Sequence, residues 1–383
     1  MNRVGRNILL NSNKKIADVA VNCYYCTTTN NTDKLVQVKL HMEVGGMEQK
    51  NSGVIRSLYE SGISLASRPK MPWPDQVLMI EPEFFDVEYV INPHMESMLG
   101  SVDKNKAWSE WSAVKSQFEQ WGLYVHPIKA MKGLPDLVFC ANQSFPMWVE
   151  NTGASFVMGA MRSPMRRPEV PYLHQVLAHK GYPVHSIFPM DQGNQASQPP
   201  SRLQVESDGS QAVMVESDNR PLFFEGMGDV QWHPERSLIW AGHGFRTSVP
   251  ALEALAVFTG VPIISLRLQD ERLYHLDTCF CMLDEQTVMV YPGAFDEAGL
   301  ELIHHFFEVV LEIDEQESLR SFACNATAVA GRRVLLPSDC PKTAQLLRSK
   351  GFTVAELPTY EFLKSGGSIF CMKMLFWGHH ASC

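Results

Sequence analysis

From residue 76 to residue 376 short apolar runs alternate with stretches whose apolar residues recur at helical spacing, and this alternation restricts the fold most. The strand-like runs include 76–80, 124–128, 156–158, 230–232, 238–241, 261–266, 287–291, 334–337 and 352–357. Residues 133–142 read as a turn, a strand and a polar residue at its end. Between such runs, 103–122 carries Trp108, Trp111, Val114, Phe118 and Trp121 at helical spacing. Residues 170–180, 250–259, 300–307 and 341–350 also read as helices. Strands alternating with helices predict an α/β architecture. A strand–helix–strand module recurs, with no detectable repeat in the sequence itself.

The flanks differ. Residues 1–73 are polar and patchy, with a Thr/Asn cluster at 27–32 and Pro69, Pro72 and Pro74 near the end. They are expected to form a partly disordered N-terminal appendage to a single catalytic domain over 74–383. Residues 192–220 are rich in Gln, Ser, Pro, Asp and Gly, and Val-Glu-Ser-Asp occurs twice there, which predicts a mobile surface insertion. The chain of 383 residues has a formal net charge of −9 and no basic patch, so nucleic acid is not an expected partner. No run of about eighteen apolar residues is present, so no membrane span is expected. Nine cysteines, an odd number in a long chain, read as reduced thiols. Cytoplasm is the default compartment; the basic start, without an acidic residue before Asp18, faintly resembles a mitochondrial transit peptide.

The run Tyr274-His275-Leu276-Asp277-Thr278-Cys279-Phe280-Cys281 alternates apolar and polar residues and reads as a half-buried strand. Its polar face would hold His275, Asp277, Cys279 and Cys281. Four positions six residues apart end to end on a strand spread over about 20 Å and cannot converge on one ion, so no metal is expected. Asn142, Glu225 with Asp229, and Cys371 after Gly366 and Gly367 also sit at strand ends or in Gly-flanked loops. A thiol, an imidazole and several carboxylates suit covalent catalysis on a cationic electrophile. Each also has an ordinary reading: a structural thiol, a satisfied core histidine, capped turns and an Asx turn.

Phe224-Glu-Gly-Met-Gly-Asp229, His275-Leu-Asp277 and Gly366-Gly-Ser-Ile-Phe-Cys371 resemble the Glu, His-x-Asp and C-terminal Cys of the guanidine-modifying pentein superfamily. That superfamily includes arginine deiminases, dimethylarginine dimethylaminohydrolases and amidinotransferases. The resemblance is closest to the arginine dihydrolase domain of cyanobacterial bifunctional proteins. It is carried by 84–95, Pro135-Asp-Leu-Val-Phe-Cys-Ala-Asn142, 238–246, 265–281 and 291–296, and spans about 76–375.

The resemblance implies a five-bladed, pseudosymmetric α/β propeller with a central site. It implies that Cys371 attacks the guanidinium carbon to form a thiouronium. His275 would protonate departing ammonia and then activate water, and Glu225 would orient it. Asn92, Asn142, Arg166, Asp229 and Asp277 would bind substrate, with Arg166 on the α-carboxylate. The implied activity is arginine hydrolysis without a cofactor, to ornithine, CO2 and ammonia. Dimethylarginine hydrolysis, a citrulline-yielding deiminase and an inactive arginine-binding protein are the alternatives, and a homo-oligomer is compatible with any of them. Two positions depart from the wider pattern. Asn142 stands where deiminases place Asp, and Gln143-Ser-Phe-Pro146 replaces a small Ala-Gly, which would reshape the pocket or its lid.

Overall fold

A computed structural model describes residues 22–27, 34–39, 53–150, 153–188 and 222–378. The chain divides into two compact units, 1–47 and 48–383. In the first, Asn22–Thr27 and Lys34–Lys39 pair antiparallel. The insertion expected at 192–220 lies outside the described residues.

The second unit repeats one wiring five times. A short strand pairs antiparallel with a central strand; a helix then crosses over to a third strand parallel to the centre. The first complete repeat is Ser144–Val149, Gly153–Met158, helix Glu169–His179 and Val184–His185. The second is Val230–Trp232, Ile239–His243, helix Val249–Thr259 and Ile263–Arg267. The third is Phe280–Met282, Thr287–Val290, helix Glu297–Phe306 and Val309–Glu312. The fourth is Thr327–Val329, Arg333–Pro337, helix Pro341–Ser349 and Thr353–Leu357. The fifth is split. Met374–Phe376, near the end of the chain, pairs with Gln76–Ile80, which continues through helix Lys104–Gln120 to Tyr124–Ile128. A parallel third strand requires such a crossover, and one hand of crossover dominates, so each repeat builds alike.

Contacts link each repeat to the next, and helix Lys104–Gln120 meets Thr353–Leu357, closing the series into a ring of five. The repeats give the mixed α/β architecture expected from the sequence. The central strands are apolar and buried on both faces; Val77, Leu78, Met79 and Ile80 are each at most 1% exposed.

Three expectations need correction. The folded body starts before residue 74: Val54–Ile55 joins Ile263–Ile264 in parallel, and Ile55, Ile63 and Met71 are buried. Its few apolar anchors are spaced too widely among polar residues and prolines to show a period. Residues 135–138 form a 3₁₀ turn, not a strand. The run 274–281 is not one strand either. Leu276–Thr278 is a 3₁₀ turn, and the strand begins at Phe280. The Thr278 hydroxyl donates to the His275 carbonyl at 2.7 Å, and the Leu276 amide donates to the Asp229 carboxylate at 3.1 Å. These side-chain bonds compete with a ladder, and alternation alone does not reveal them.

Candidate active site

A polar cleft of about 270 Å³ opens among the ends of these elements. Asn92, Asn142, Arg166, His275 and Cys371 line it, together with Arg246, Tyr274, Asp136 and Ser365. Glu225 and Asp277 bond to the lining residues His275 and Cys371, and Asp229 holds the Leu276 amide behind them.

Cys371 sits on a tight turn held by Asn325. The Asn325 side-chain oxygen accepts the Ser368 and Phe370 amides, each at 3.1 Å. Its NH2 donates to the Asp277 carbonyl at 3.1 Å and to the Cys371 sulfur at 3.2 Å. The thiol itself donates to Asp277 Oδ2 at 3.2 Å. Burial, and then the neighbouring carboxylate, push the Cys371 thiol well above its ordinary range. Burial also raises Asp277 to about 7, against the thiol hydrogen bond and the nearby Lys373 ammonium.

His275 Nε2 lies 2.7 Å from Glu225 Oε2. Glu225 is fully buried, yet Arg246 donates to it at 3.1 Å and the Arg162 amide at 3.0 Å. Burial opposes its charge, but Arg246 and the imidazole outweigh that and hold the carboxyl well below the usual range. Glu225 is therefore an anion that fixes the His275 ring. Asp229 is pushed up to about 7 by burial, although His275 and Thr247 oppose the shift.

Glycines make this packing feasible. A Cβ on Gly228 would stand 2.2 Å from Asn142 Nδ2 and 3.4 Å from the His275 ring. Gly366, at φ +78°, passes so close to Asn92 and Tyr274 that a Cβ would meet both at 2.9 Å. The Gly-x-Gly before Asp229 and the Gly-Gly before Cys371 thus mark close approach to the site.

Arg166 is 4% exposed and heavily committed. It donates to Glu169, to Asn142 Oδ1 at 2.9 Å and to the carbonyls of Asp136 and Phe139. Of five guanidinium N–H groups, one remains for a ligand. Gln143 donates to Glu169 behind it, so the Gln143 departure braces the Arg166 pair and does not line the cleft. Asn92 is tied to the Ser365 carbonyl at 3.1 Å and to the His94 amide at 3.0 Å. Cys279 and Cys281 are buried in the core and away from the lining, as expected of packing thiols. Among the described residues no three His, Cys, Asp or Glu side chains gather as a metal site.

Sequence reasoning did not single out Arg246 or Asn325 as site residues. Arg246 follows a strand in a Gly-flanked loop, a signal that was available. Asn325 is one polar residue in the apolar run Ala323-Cys-Asn-Ala. A buried Asn in such a run needs several partners, which is the hint it offers.

Architecture and site residues together put the chain among the penteins. The chain belongs to the family described as N,N dimethylarginine dimethylhydrolase, eukaryotic, which matches residues 91–376. It is 32% identical over 299 residues to the bifunctional arginine dihydrolase/ornithine cyclodeaminase AgrE of Nostoc, covering 78% of this chain and 37% of that protein. The chain therefore spans little more than a third of that relative. The N(G),N(G)-dimethylarginine dimethylaminohydrolase of Mycobacterium tuberculosis is 30% identical over 302 residues, covering 79% of this chain and 86% of the enzyme. The product-bound crystal structure of the N-terminal domain of ArgZ, a cyanobacterial arginine dihydrolase, superposes with a TM-score of 0.66 at 30% identity. That match covers 78% of this chain and 96% of the domain. Among the described residues no helix is long and apolar enough to cross a membrane.

Proposed function

We propose that the protein is an arginine dihydrolase, converting arginine and two waters to ornithine, CO2 and two ammonia. The observation that carries this reading is Asn142. Its Oδ1 is held by Arg166, while its NH2 has no hydrogen-bond partner and is buried beside His275 in the cleft. An amide can donate to a neutral ureido oxygen, which a carboxylate cannot.

The resting thiol is protonated. A guanidinium entering between Asp277 and Glu225 supplies the positive charge that makes the thiolate affordable, and His275 takes up one proton against Glu225. The thiolate adds to the guanidinium carbon. His275 returns its proton to the departing nitrogen, ammonia leaves, and a thiouronium remains. His275 then deprotonates water, hydroxide adds to the same carbon, and the carbon–sulfur bond breaks to give the ureido group. In the second round the thiolate adds to the ureido carbon while the Asn142 NH2 donates to its oxygen. Loss of the second ammonia leaves a thiocarbamate, and water releases it as a carbamate that decomposes to ornithine and CO2. Arg246 keeps three N–H groups after its bonds to Glu225 and the Ile91 carbonyl. It shares the α-carboxylate with Arg166, whose larger task is to aim Asn142. Asn92, Asp229 and Asp277 complete the pocket.

Two structures of a relative agree with this chemistry: the ArgZ domain has been captured with substrate, and an Asn-to-Ser variant of it covalently bound to a reaction intermediate. Dimethylarginine hydrolysis is the second reading, favoured by the family match. The six described free thiols are all buried and suit a reducing compartment such as the cytoplasm. The test is incubation with arginine, quantifying ornithine and citrulline, with dimethylarginine in parallel. Ornithine from arginine supports the proposal; stoichiometric citrulline, or turnover of dimethylarginine alone, overturns it.

A further inference from the structure

A second, partly open cavity shares no lining residue with the catalytic cleft. Its walls are mostly aromatic and apolar, with Trp73, Trp232, Trp377 and Phe370 among them. The rings of Trp232 and Trp377 are fixed because their N–H groups donate to the Pro146 and Pro72 carbonyls, both at 2.8 Å. The turn that presents the nucleophile divides the two spaces. Cys371 lines the cleft, while Phe370 and Lys373 line the second cavity.

Three polar groups on this wall lack hydrogen-bond partners: Lys373 Nζ, Gln231 Nε2 and Thr327 Oγ1. Their residues are 0%, 5% and 1% exposed. An unpaired buried ammonium is among the most costly groups a fold can carry. Burial pulls Lys373 down to about 7, opposed chiefly by the Asp277 carboxyl, and the Phe370 ring centroid lies 3.1 Å from its Nζ. Lys373 and Gln231 are donors, and the threonine hydroxyl can act as one too. Such a set answers the two oxygens of a carboxylate, and fixed indole faces answer a flat apolar body.

We propose that this cavity is a second ligand site, which takes a small carboxylate with a flat apolar body and pairs its charge with Lys373. The ammonium turns from the Phe370 ring to the carboxylate, Gln231 and Thr327 donate to the remaining lone pairs, and the tryptophans sandwich the apolar part. The site does not depend on which guanidino compound the catalytic cleft hydrolyses.

The probe is 2-naphthoate, titrated calorimetrically into the full-length protein, with neutral 2-naphthamide in parallel. One saturable site is expected, preferring the carboxylate by at least about tenfold, the worth of one charged hydrogen bond. Lys373→Met should erase that preference while the amide still binds. Trp232→Ala should weaken both probes, and Arg246→Met in the catalytic cleft should weaken neither. If Lys373→Met does not fold, Gln231→Leu replaces it, with a loss of about fivefold expected for the carboxylate alone. Absence of saturable binding, equal affinity for acid and amide in the unmodified protein, or sensitivity to Arg246→Met but not to the Lys373 or Gln231 variant overturns the proposal.

Discussion

Asn142→Asp isolates the step that separates a dihydrolase from a deiminase. The substitution changes one nitrogen to oxygen at a side chain 1% exposed, so the packing is nearly unaltered. Arg166, which donates to Oδ1 at 2.9 Å, still finds an acceptor there. The change falls on Nδ2, the unpartnered group beside Gly228 and His275. A carboxylate there pairs with a guanidinium at least as well as the amide does, so the first attack should slow less than about tenfold. The neutral ureido oxygen of the second round loses its donor. One such hydrogen bond at a buried site is worth about 1.5–3 kcal/mol, or roughly a 10- to 100-fold slower second attack. Arginine labelled with carbon-13 at the guanidino carbon reads the outcome directly by NMR. The unmodified protein should release the label as CO2 and bicarbonate, and the variant should accumulate labelled citrulline. A variant that still yields CO2 at the original rate would refute the role assigned to the amide.

Cys371→Ser should lower ammonia release from arginine at least about 10³-fold, and retained turnover would move the nucleophile elsewhere. Gly228→Ala forces a Cβ to 2.2 Å from Asn142 Nδ2. It should cost only about 1–3 kcal/mol of stability but most of the activity, as a melting curve and an ammonia assay together would show. Asn325→Ala removes the hydrogen bonds that set the Cys371 turn. Since Asn325 is a positioning residue, kcat should fall far more than KM rises, and alkylation of Cys371 should change rate. Asp229 and Asp277, both raised to about 7, take up protons as pH falls below that value. kcat/KM for arginine should therefore fall on the acid side of about pH 7, and a flat profile across about pH 5.5–8 would contradict it. For stability the sign runs the other way. Asp277 is raised in the fold from its ordinary 3.8, so its contribution is complete below that and is lost as pH rises through about 7. Asp277→Asn should accordingly raise Tm more near pH 8 than near pH 4.

Periodicity made most central strands and crossover helices legible, because buried parallel pairs need continuous apolar runs and helices need a stripe. Strands Ser144–Val149, Val309–Glu312, Thr327–Val329 and Met374–Phe376 were not legible. Several are three or four residues long, too short for a period, and Met374–Phe376 gains its meaning only from a partner near the other end of the chain. The same long-range closure brings Cys371 to Asp277 across 94 residues. Residue type and flanking glycines identified His275, Asp277, Glu225 and Cys371 as chemical candidates, but not their geometry. The strand expected at 274–281 would have put Cys279 on the face of His275. The turn at Leu276–Thr278 instead sends Asp277 to the Cys371 thiol and leaves Cys279 in the core. Arg246, in its Gly-flanked loop, and Asn325, alone in an apolar run, carry only a faint local signal, because their importance is a count of partners.

The acids of the site divide according to whether a cation of the protein hydrogen-bonds to them directly. Glu225 has Arg246 at 3.1 Å and stays ionised despite full burial. Asp229 and Asp277 have no direct guanidinium or ammonium hydrogen bond among the described residues, and burial drives both up. Oxygens Asp229 Oδ2 and Asp277 Oδ1 have no hydrogen-bond partner at all. A fold that leaves two buried carboxyl groups half satisfied beside a neutral thiol is incomplete in charge by about one cation. In the proposed reaction a guanidinium would supply that cation, and one arrival would ionise the acids, lower the thiol and ready the His275–Glu225 couple. Buried amines that lack a planar array of N–H groups would satisfy the charge but not the spread of acceptors, which favours guanidino compounds at the binding step. The neutral ureido intermediate no longer supplies the charge, so the second attack depends on what the amide of Asn142 can donate. In the proposed reaction, one nitrogen at residue 142 would therefore decide how far it runs.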